Sequence, residues 1–261
     1  MIITTFASGS SGNCVLASLG GAHFLLDCGI SYRRVRAQLA LSGLKPEDLS
    51  AVLITHDHSD HISGLATMVK YCPVPVCVPR SFSNRLLSAV PGLEERLNVI
   101  PVGEGFTVAG VAARAFPTPH DASGSVGYRL EGPDGVFALA TDMGEVTEDV
   151  LEGLSGARVA LVEANHDIDM LRAGPYPVYL KRRILSGTGH LSNDNCAALA
   201  ALLADSGTRC LILGHLSREN NTPALALSTV RAALAGREVS VCVAPAAERL
   251  TVEMEAELCC P

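Results

Sequence analysis

The sequence predicts an α/β protein in which helices pack against β-sheets in layers. Three observations support this class. Short aliphatic runs typical of buried strands recur along the chain, segments with helical patterns lie between them, and several aliphatic runs end abruptly in a polar residue. With 261 residues, 48% of them hydrophobic and 18% charged, the chain can bury a large core. We therefore expect one domain that spans residues 1–261.

Five of the predicted strands end in a side chain that can bind a metal ion or orient a substrate. The residues that end these runs are Asp27, His56, Asp142, Glu163 and His215. Active sites of helix-covered sheets are built where the carboxyl ends of the strands meet. We therefore expect these side chains to converge at one edge of the fold.

The remaining elements follow from the helix and strand patterns between these runs. Helices are predicted over residues 32–42, 81–88, 193–205 and 224–235. The third helix has a favourable start, because Ser192 can cap it before an Ala- and Leu-rich stretch. Alternating patterns predict further strands over residues 106–115 and 239–243, and a last edge strand over 250–253.

Charge and cysteine content restrict the classes of function. There are 20 basic and 27 acidic residues, and the net charge of −7 excludes a surface wholly adapted to nucleic acid, although a local basic strip can exist. Nine cysteines, several inside apolar runs, predict buried free thiols, and residues 259–261 are expected to form a frayed tail. No run approaches the about 18 apolar residues of a membrane helix, and no basic leader precedes the first strand. We expect a soluble, cytoplasmic protein.

The strongest motif is His-Asp-His-Ser-Asp-His at residues 56–61. His56 and His58 can point to one side and chelate one ion, whereas Asp60 and His61 can turn toward a second ion. Imidazole nitrogens and carboxylate oxygens suit zinc, iron or manganese. A solvated charged turn is the alternative, but it does not require three histidines at these offsets.

This motif is the HxHxDH signature of the metallo-β-lactamase fold superfamily, which the sequence resembles along nearly its whole length. The segments SGSSGN, LDCGI, LITHDHSDHISG, EANHD, GHLSN and LGHLSRENNTP further resemble the YycJ (WalJ) group, close to the phosphodiesterase branch that includes tRNase Z. The resemblance implies a four-layer αββα sandwich with its site at one edge.

The same resemblance implies two divalent metal ions, which can be zinc, manganese or iron, and it implies their ligands. One ion would be bound by His56, His58 and His120, the other by Asp60, His61 and His215, with Asp142 as a bridge between them. Asp27 is similar to an early structural aspartate of the superfamily.

Two further residues are candidates for proton transfer. His190 follows a Gly-Thr-Gly segment just before a predicted helix, and the resemblance matches it to the proton-donating histidine of the branch, while a helix-capping or solvent-facing histidine is the alternative. Glu163 can orient His190 or have a structural role beside the metal ligands. His166, in the same segment as Glu163, is expected at the surface. The candidate catalytic residues are His190 and Glu163, together with Asp60, which is also a candidate metal ligand.

Two segments are candidates for binding a substrate. Ser10 and Asn13 belong to the loop of residues 8–13, whose glycines let backbone amides approach an anion, although a tight turn between strands needs no ligand. Lys181 and Arg182 belong to a basic patch over residues 181–183, which either suits a phosphate backbone or is a solvated face.

These features together predict a dinuclear metal-dependent hydrolase, best interpreted as a phosphodiesterase or nuclease. A hydroxide between the two ions would attack phosphorus, and His190 would protonate the leaving oxygen. The resemblance implies a 5′-to-3′ exonuclease with DNA rather than RNA as its substrate. Two alternatives stay open: a small-molecule metallohydrolase acting on a cyclic phosphodiester or thioester, and a non-catalytic regulator whose metal-stabilised fold binds a partner.

Overall fold

Two seven-stranded sheets lie face to face in a computed structural model that describes residues Met1–Glu255. The strands of the first sheet are β1 (Ile2–Ala7), β2 (Cys14–Leu19), β3 (Ala22–Leu26), β4 (Ala51–Leu53), β5 (Val76–Pro79), β6 (Leu97–Ile100) and, from the end of the chain, β14 (Leu250–Glu253). Those of the second sheet are β7 (Gly105–Val108), β8 (Val111–Pro117), β9 (Val126–Gly132), β10 (Gly135–Ala140), β11 (Val159–Glu163), β12 (Cys210–Gly214) and β13 (Ser240–Val243).

Helices connect the strands and cover the outer faces of the sheets. They are α1 (Tyr32–Leu41), α2 (Ser59–Ile62), α3 (Leu65–Tyr71), α4 (Arg80–Ala89), α5 (Glu148–Leu154), α6 (Ile168–Ala173), α7 (Val178–Ile184), α8 (Asn193–Asp205) and α9 (Pro223–Ala233). Two short 3-10 turns lie at Pro46–Asp48 and Leu93–Glu95.

Each sheet has a parallel half, and the parallel halves deliver the polar strand ends. The first sheet has the order β14-β1-β2-β3-β4-β5-β6, in which β3 to β6 are parallel. The second has the order β13-β12-β11-β10-β9-β8-β7, in which β10 to β13 are parallel. The other neighbouring strands pair antiparallel.

The two faces of the first sheet pack into different hydrophobic clusters. Phe24 of β3 lies between the sheets with Tyr128 of β9 and Phe137 of β10. The next residue, Leu25, points to the other face and packs with Val35 of α1, because successive side chains of a strand alternate in direction.

The second sheet shows the same division. Leu161 of β11 and Ile212 of β12 belong to the cluster between the sheets, whereas Val162 and Leu213 pack with Leu199 of α8. Helices therefore cover the outside of both sheets. The predicted four-layer αββα sandwich is confirmed.

Most elements predicted from the pattern are present, and one needs a correction. The four predicted helices correspond to α1, α4, α8 and α9 within two residues at each end, and the predicted edge strand is β14, which pairs with β1. The single strand predicted over 106–115 is wrong, because a turn at Ala109 and Gly110 divides it into β7 and β8. Both turn residues have positive φ, 48° and 79°, as tight two-residue hairpins require.

The predicted free thiols are found in the part of the chain that the structure describes. Six cysteines are buried and Cys242 is half-buried, and all seven are free. The predicted tail at residues 259–261 lies outside the described residues.

Candidate metal centre

Polar side chains from both sheets meet at one edge of the sandwich. In the first sheet, β4 leads into the loop of His56 and His58 and then into α2, which carries Asp60 and His61. The second sheet contributes three residues that follow the ends of β8, β10 and β12, which are His120, Asp142 and His215. The predicted convergence of strand ends brings all of these side chains together.

Three of the strand-end residues have an uncommon backbone conformation. Asp27, Asp142 and His215 have φ of 60°, 58° and 55°, in the left-handed region that costs an L residue about 1–2 kcal/mol. Backbone hydrogen bonds hold two of them in place: the Asp27 N–H donates to the Leu53 carbonyl at 2.9 Å, and the His215 N–H donates to Ser8 Oγ at 2.8 Å. Such strain in a well-bonded frame is typical of functional sites.

A close approach of three loops fixes the start of α2. The Asn13 N–H donates to the Asp60 carbonyl at 2.8 Å, and the Cys28 N–H donates to the His61 carbonyl at 2.8 Å. A Cβ at position 29 would lie 1.6 Å from the Asp60 carbonyl oxygen. Position 29 therefore requires glycine, and the backbone N–H groups of Asn13 and Cys28 hold Asp60 and His61 in position.

The candidate ligands form two triads. The first triad consists of His56, His58 and His120, and the second of Asp60, His61 and His215. Within each triad, one donor atom from each residue lies within 4.8 Å of the other two. Asp142 lies between them, with Oδ2 3.3 Å from His61 Nε2 and Oδ1 3.8 Å from His120 Nε2. This is the grouping that the resemblance implied.

Polar contacts behind the triads orient the rings. Asp27 Oδ2 lies 2.7 Å from His61 Nδ1, and Asp27 Oδ1 also accepts from the Thr55 N–H at 2.8 Å. The Nδ1 of His120 lies 3.2 Å from the Gly189 carbonyl oxygen, to which it can donate. Metal-binding histidines commonly donate one ring N–H to a carboxylate or a carbonyl in this way, and the other nitrogen then faces the ion.

Three buried polar atoms at the centre have no hydrogen-bond partner among residues 1–255: His56 Nε2, His215 Nε2 and Asp142 Oδ2. Burial lowers the pKa of His56 to about 2. Burial acts in the same direction on His215, but the carboxylates of Asp142, Asp60 and Glu163 outweigh it and raise the pKa of His215 to about 10. A divalent cation can accept a lone pair from each orphaned atom and neutralise the carboxylates, so these residues fit metal ions.

Glu163 holds His190 beside the triads. Glu163 is fully buried, and its Oε1 lies 2.8 Å from His190 Nδ1 and 3.1 Å from His215 Nδ1. Its Oε2 accepts from the backbone N–H groups of Met143 at 2.9 Å and Leu191 at 3.2 Å. Burial favours the neutral acid, yet the histidines lower the pKa of Glu163 to about 2, and Glu163 in turn raises the pKa of His190 against the effect of burial.

A cleft of about 170 Å³ opens next to His190. Part of its wall comes from the segment that holds α6 and α7, between β11 and His190. Its lining residues are Ser10, Asp121, Asn165, Tyr176, Leu180, Arg183, Ile184, Gly189, His190 and Ser217.

The candidate substrate-binding residues lie in different surroundings. Ser10 is exposed and lines the cleft. The Asn13 side chain is buried, at 6% exposure, where its amide donates to Asp60 Oδ2 at 3.1 Å and its Oδ1 accepts from the Gly9 N–H at 2.8 Å. Lys181 Nζ donates to the Arg172 carbonyl at 2.7 Å.

Within the basic patch over residues 181–183, the lining residue of the cleft is Arg183. Arg182 is exposed on α7. The Arg183 guanidinium pairs with Asp121, which lines the same cleft.

The prediction that His166 lies at the surface is wrong, because the residue is only 1% exposed. After β11 the chain runs beside residues 191–193, with the Asn165 N–H donating to Leu191 and the Asn193 N–H donating to the His166 carbonyl. Residue 166 therefore remains inside the layered structure. Burial lowers the pKa of the His166 ring to about 4.

Sequence reasoning overlooked four residues around the site. Thr55 ends the run before His56, Asp121 directly follows His120, and both positions were visible as polar neighbours of candidate ligands. Tyr176 and Arg218 carried no signal, because only the folded chain brings Tyr176 into the wall of the cleft and Arg218 to Ser11 of the 8–13 loop.

The helices within residues 1–255 are all too short or too polar to cross a lipid bilayer.

The fold and the histidine–carboxylate cluster define the class of protein. The family model described as the beta-lactamase superfamily domain matches residues 22–216, and the chain belongs to this superfamily. Exodeoxyribonuclease WalJ of Streptococcus pneumoniae serotype 2 is 35% identical to this chain over 240 residues, which cover 90% of this chain and 88% of the relative. Exodeoxyribonuclease YycJ of Bacillus anthracis is 32% identical over 228 residues, covering 87% and 86%.

A solved structure supports the same fold. Human tRNase Z, short form, superposes with a TM-score of 0.66 at 19% sequence identity, covering 97% of this chain and 99% of that chain. The resemblance to the metallo-β-lactamase fold superfamily and to the YycJ (WalJ) group, which the motifs indicated, is confirmed.

Proposed function

We propose that this protein is a metal-dependent phosphodiesterase that removes nucleotides from the 5′ end of DNA. The observation that carries the proposal is the pair formed by His190 and Glu163, 2.8 Å apart, directly beside two triads of metal-binding side chains. Hydrolysis of a phosphodiester needs a proton donor for a poor leaving group, and this pair supplies one. The names of the WalJ and YycJ relatives, both exodeoxyribonucleases, support DNA as the substrate.

Two divalent ions would be held by the residues already described. The ligands of one would be His56, His58 and His120, those of the other Asp60, His61 and His215, and Asp142 would serve both. When bound, the ions supply an activated water and neutralise charge on the phosphate.

The chain's own residues complete the reaction. The water oxygen forms a bond to phosphorus, the bond from phosphorus to the 3′ oxygen of the terminal nucleotide breaks, and that oxygen takes a proton from His190. Glu163 is a positioning residue, because its Oε1 fixes His190 Nδ1 while its Oε2 is held by two backbone N–H groups. The side-chain amide of Asn13 donates to Asp60 Oδ2 and holds the Asp60 carboxylate in position.

Because the net charge of the protein is −7, DNA must bind to a local group of positive side chains rather than to the surface as a whole. Arg183 at the cleft and Arg218, which donates to Ser11 Oγ at 2.8 Å, are two cations near the site. These arginines and the hydroxyl-rich loop of Ser10 can therefore bind phosphates near His190.

The test uses end-labelled DNA, single- and double-stranded, with a 5′ phosphate or hydroxyl, in manganese and in zinc. The wild type should release mononucleotides from the 5′ end. Asp142→Asn should lose bound metal and activity together, whereas His190→Ala should keep its metal and lose about 10²- to 10⁴-fold in kcat. Metal content is measured on the same preparations.

A second substrate separates proton donation from structural damage. The 4-nitrophenyl ester of thymidine 5′-phosphate has a leaving group that departs without a proton, so His190→Ala and Glu163→Gln should recover most of their activity on it. Intact DNA with metal fully bound would refute the nuclease proposal and would favour a small-molecule hydrolase acting on cyclic phosphodiesters or thioesters.

A further inference from the structure

We propose that the cleft beside His190 receives the 5′-terminal base of the DNA in an unpaired state, stacked on Tyr176. This inference rests on the proposed function and narrows its substrate to ends whose last base is free or can be unpaired. Tyr176 has no part in the metal centre and lies in the connection between α6 and α7.

The position of His190 determines which nucleotide enters the cleft. His190 protonates the leaving oxygen, so the group beside His190 is the leaving group. When a strand is degraded from its 5′ end, the leaving group is the terminal nucleotide with its 3′ oxygen. The cleft that His190 lines is therefore the place for that nucleotide.

The size of the cleft favours a single base. Its volume is about 170 Å³. Pockets that enclose a whole drug-sized ligand measure roughly 300–1,000 Å³. The cleft therefore suits a fragment of the size of a single base better than a whole nucleotide or a base pair.

The chemistry of the wall agrees with this size. Tyr176 brings an aromatic side chain to the wall, and Leu180 and Ile184 of α7 add apolar side chains. Aromatic side chains are the usual stacking partners of unpaired bases, because every base has a π-face. The hydroxyls of Ser10 and Ser217 line the same cleft and can donate to base edges without selecting one sequence.

Arg183 is placed to hold the backbone of the same nucleotide. Its pair with Asp121 fixes the guanidinium at the cleft through Nε. A guanidinium has five N–H donors, and the remaining ones suit a phosphate. A base stacked on Tyr176 and a phosphate near Arg183 lie on the same wall, because both residues belong to the segment of α6 and α7.

The experiment compares Tyr176→Ala, Tyr176→Phe and the matched control Tyr179→Ala. Tyr179 is 74% exposed on α7 and is absent from the cleft lining. Each protein, loaded with manganese, is given two single-stranded DNAs that differ only in whether the 5′-terminal nucleotide carries its base or is abasic. Thermal unfolding of each variant checks that it is folded.

Tyr176→Ala should lower kcat/KM on the normal end by about tenfold or more, as expected when one base-stacking contact is removed. Tyr176→Phe and Tyr179→Ala should stay near the wild type. The abasic end should lower kcat/KM of the wild type by a similar factor. For Tyr176→Ala, the abasic end should lower kcat/KM only slightly further, because this variant has already lost the stacking contact.

Binding gives a readout that does not depend on turnover. A 5′-terminal 2-aminopurine on DNA whose first linkage resists hydrolysis, mixed with each manganese-loaded protein, should lose fluorescence with the wild type and with Tyr176→Phe, and should stay bright with Tyr176→Ala. Equal rates on normal and abasic ends, with unchanged fluorescence, would overturn the inference and leave the nuclease proposal standing. Quenching that requires Tyr176 without any cleavage of DNA would support the base site and refute the nuclease proposal.

Discussion

The buried ring of His166 should make the stability of the protein depend on pH. Burial lowers its pKa to about 4 from an ordinary value near 6.5. The charge of His190 also lowers this pKa, whereas the carboxylates of Glu163, Asp167 and Asp194 raise it by less than burial lowers it. The unfolded chain therefore binds more protons than the folded chain between pH 6.5 and pH 4. Stability contributed by the neutral ring is fully present above pH 6.5 and is lost as the pH falls toward 4.

The size of the loss follows from the shift. Each pKa unit corresponds to about 1.4 kcal/mol, so the ring should account for about 3 kcal/mol of the decrease in the free energy of unfolding between pH 7 and pH 4. The assay is urea unfolding of the wild type and of His166→Phe across this range at constant metal concentration. Other acid-sensitive groups contribute to both proteins and cancel in the difference.

The variant should lose about 3 kcal/mol less than the wild type on acidification, whatever its stability at pH 7. His166→Asn is a second non-titrating variant if phenylalanine is too large for the site. Curves that run parallel for the wild type and the variants would refute the reasoning, because the ring would then titrate alike in the folded and unfolded chains.

Three further predictions concern the backbone and the support of the metal ligands. Ala109→Gly should raise the free energy of unfolding by about 1 kcal/mol, measured by urea titration, because glycine adopts φ of 48° without steric cost. Gly29→Ala should abolish metal binding or folding, seen in metal content and circular dichroism, whereas Gly105→Ala, whose Cβ would meet nothing closer than 4.0 Å, should keep both. Asp27→Asn should weaken metal binding by about 10- to 100-fold in a competition titration, because the carboxylate 2.7 Å from His61 Nδ1 orients that ring. An unchanged affinity would show that Thr55 alone is sufficient to hold the ring.

The parts of the site that are close together in sequence, or that end strands, could be predicted. His56 to His61 form a local motif, and the rule that strands in a covered sheet end at the site brought in Asp142 and His215. The continuous aliphatic runs with helical segments between them likewise led to the layers, because a strand covered on both faces is apolar on both.

The remainder depended on contacts that the local sequence does not encode. His166 was expected at the surface, yet its neighbour across the layer is the segment 191–193. Tyr176 lies in the connection between α6 and α7 and lines the cleft with residues of α7, and no periodicity predicts that placement. The turn at Ala109 was missed although Gly110 marked it, since the alternating pattern on both sides runs through it.

If the two triads bind metal ions, their distribution over the two sheets links the stability of the protein to its metal content. Each triad takes two residues from the first sheet and one from the second, His120 in one case and His215 in the other. Bound ions would therefore link the two halves of the sandwich. A metal ion at 100 times its dissociation constant raises the free energy of unfolding by about 2.7 kcal/mol. A cell short of the metal would lose the folded protein to proteolysis, so metal supply would set its abundance together with its rate.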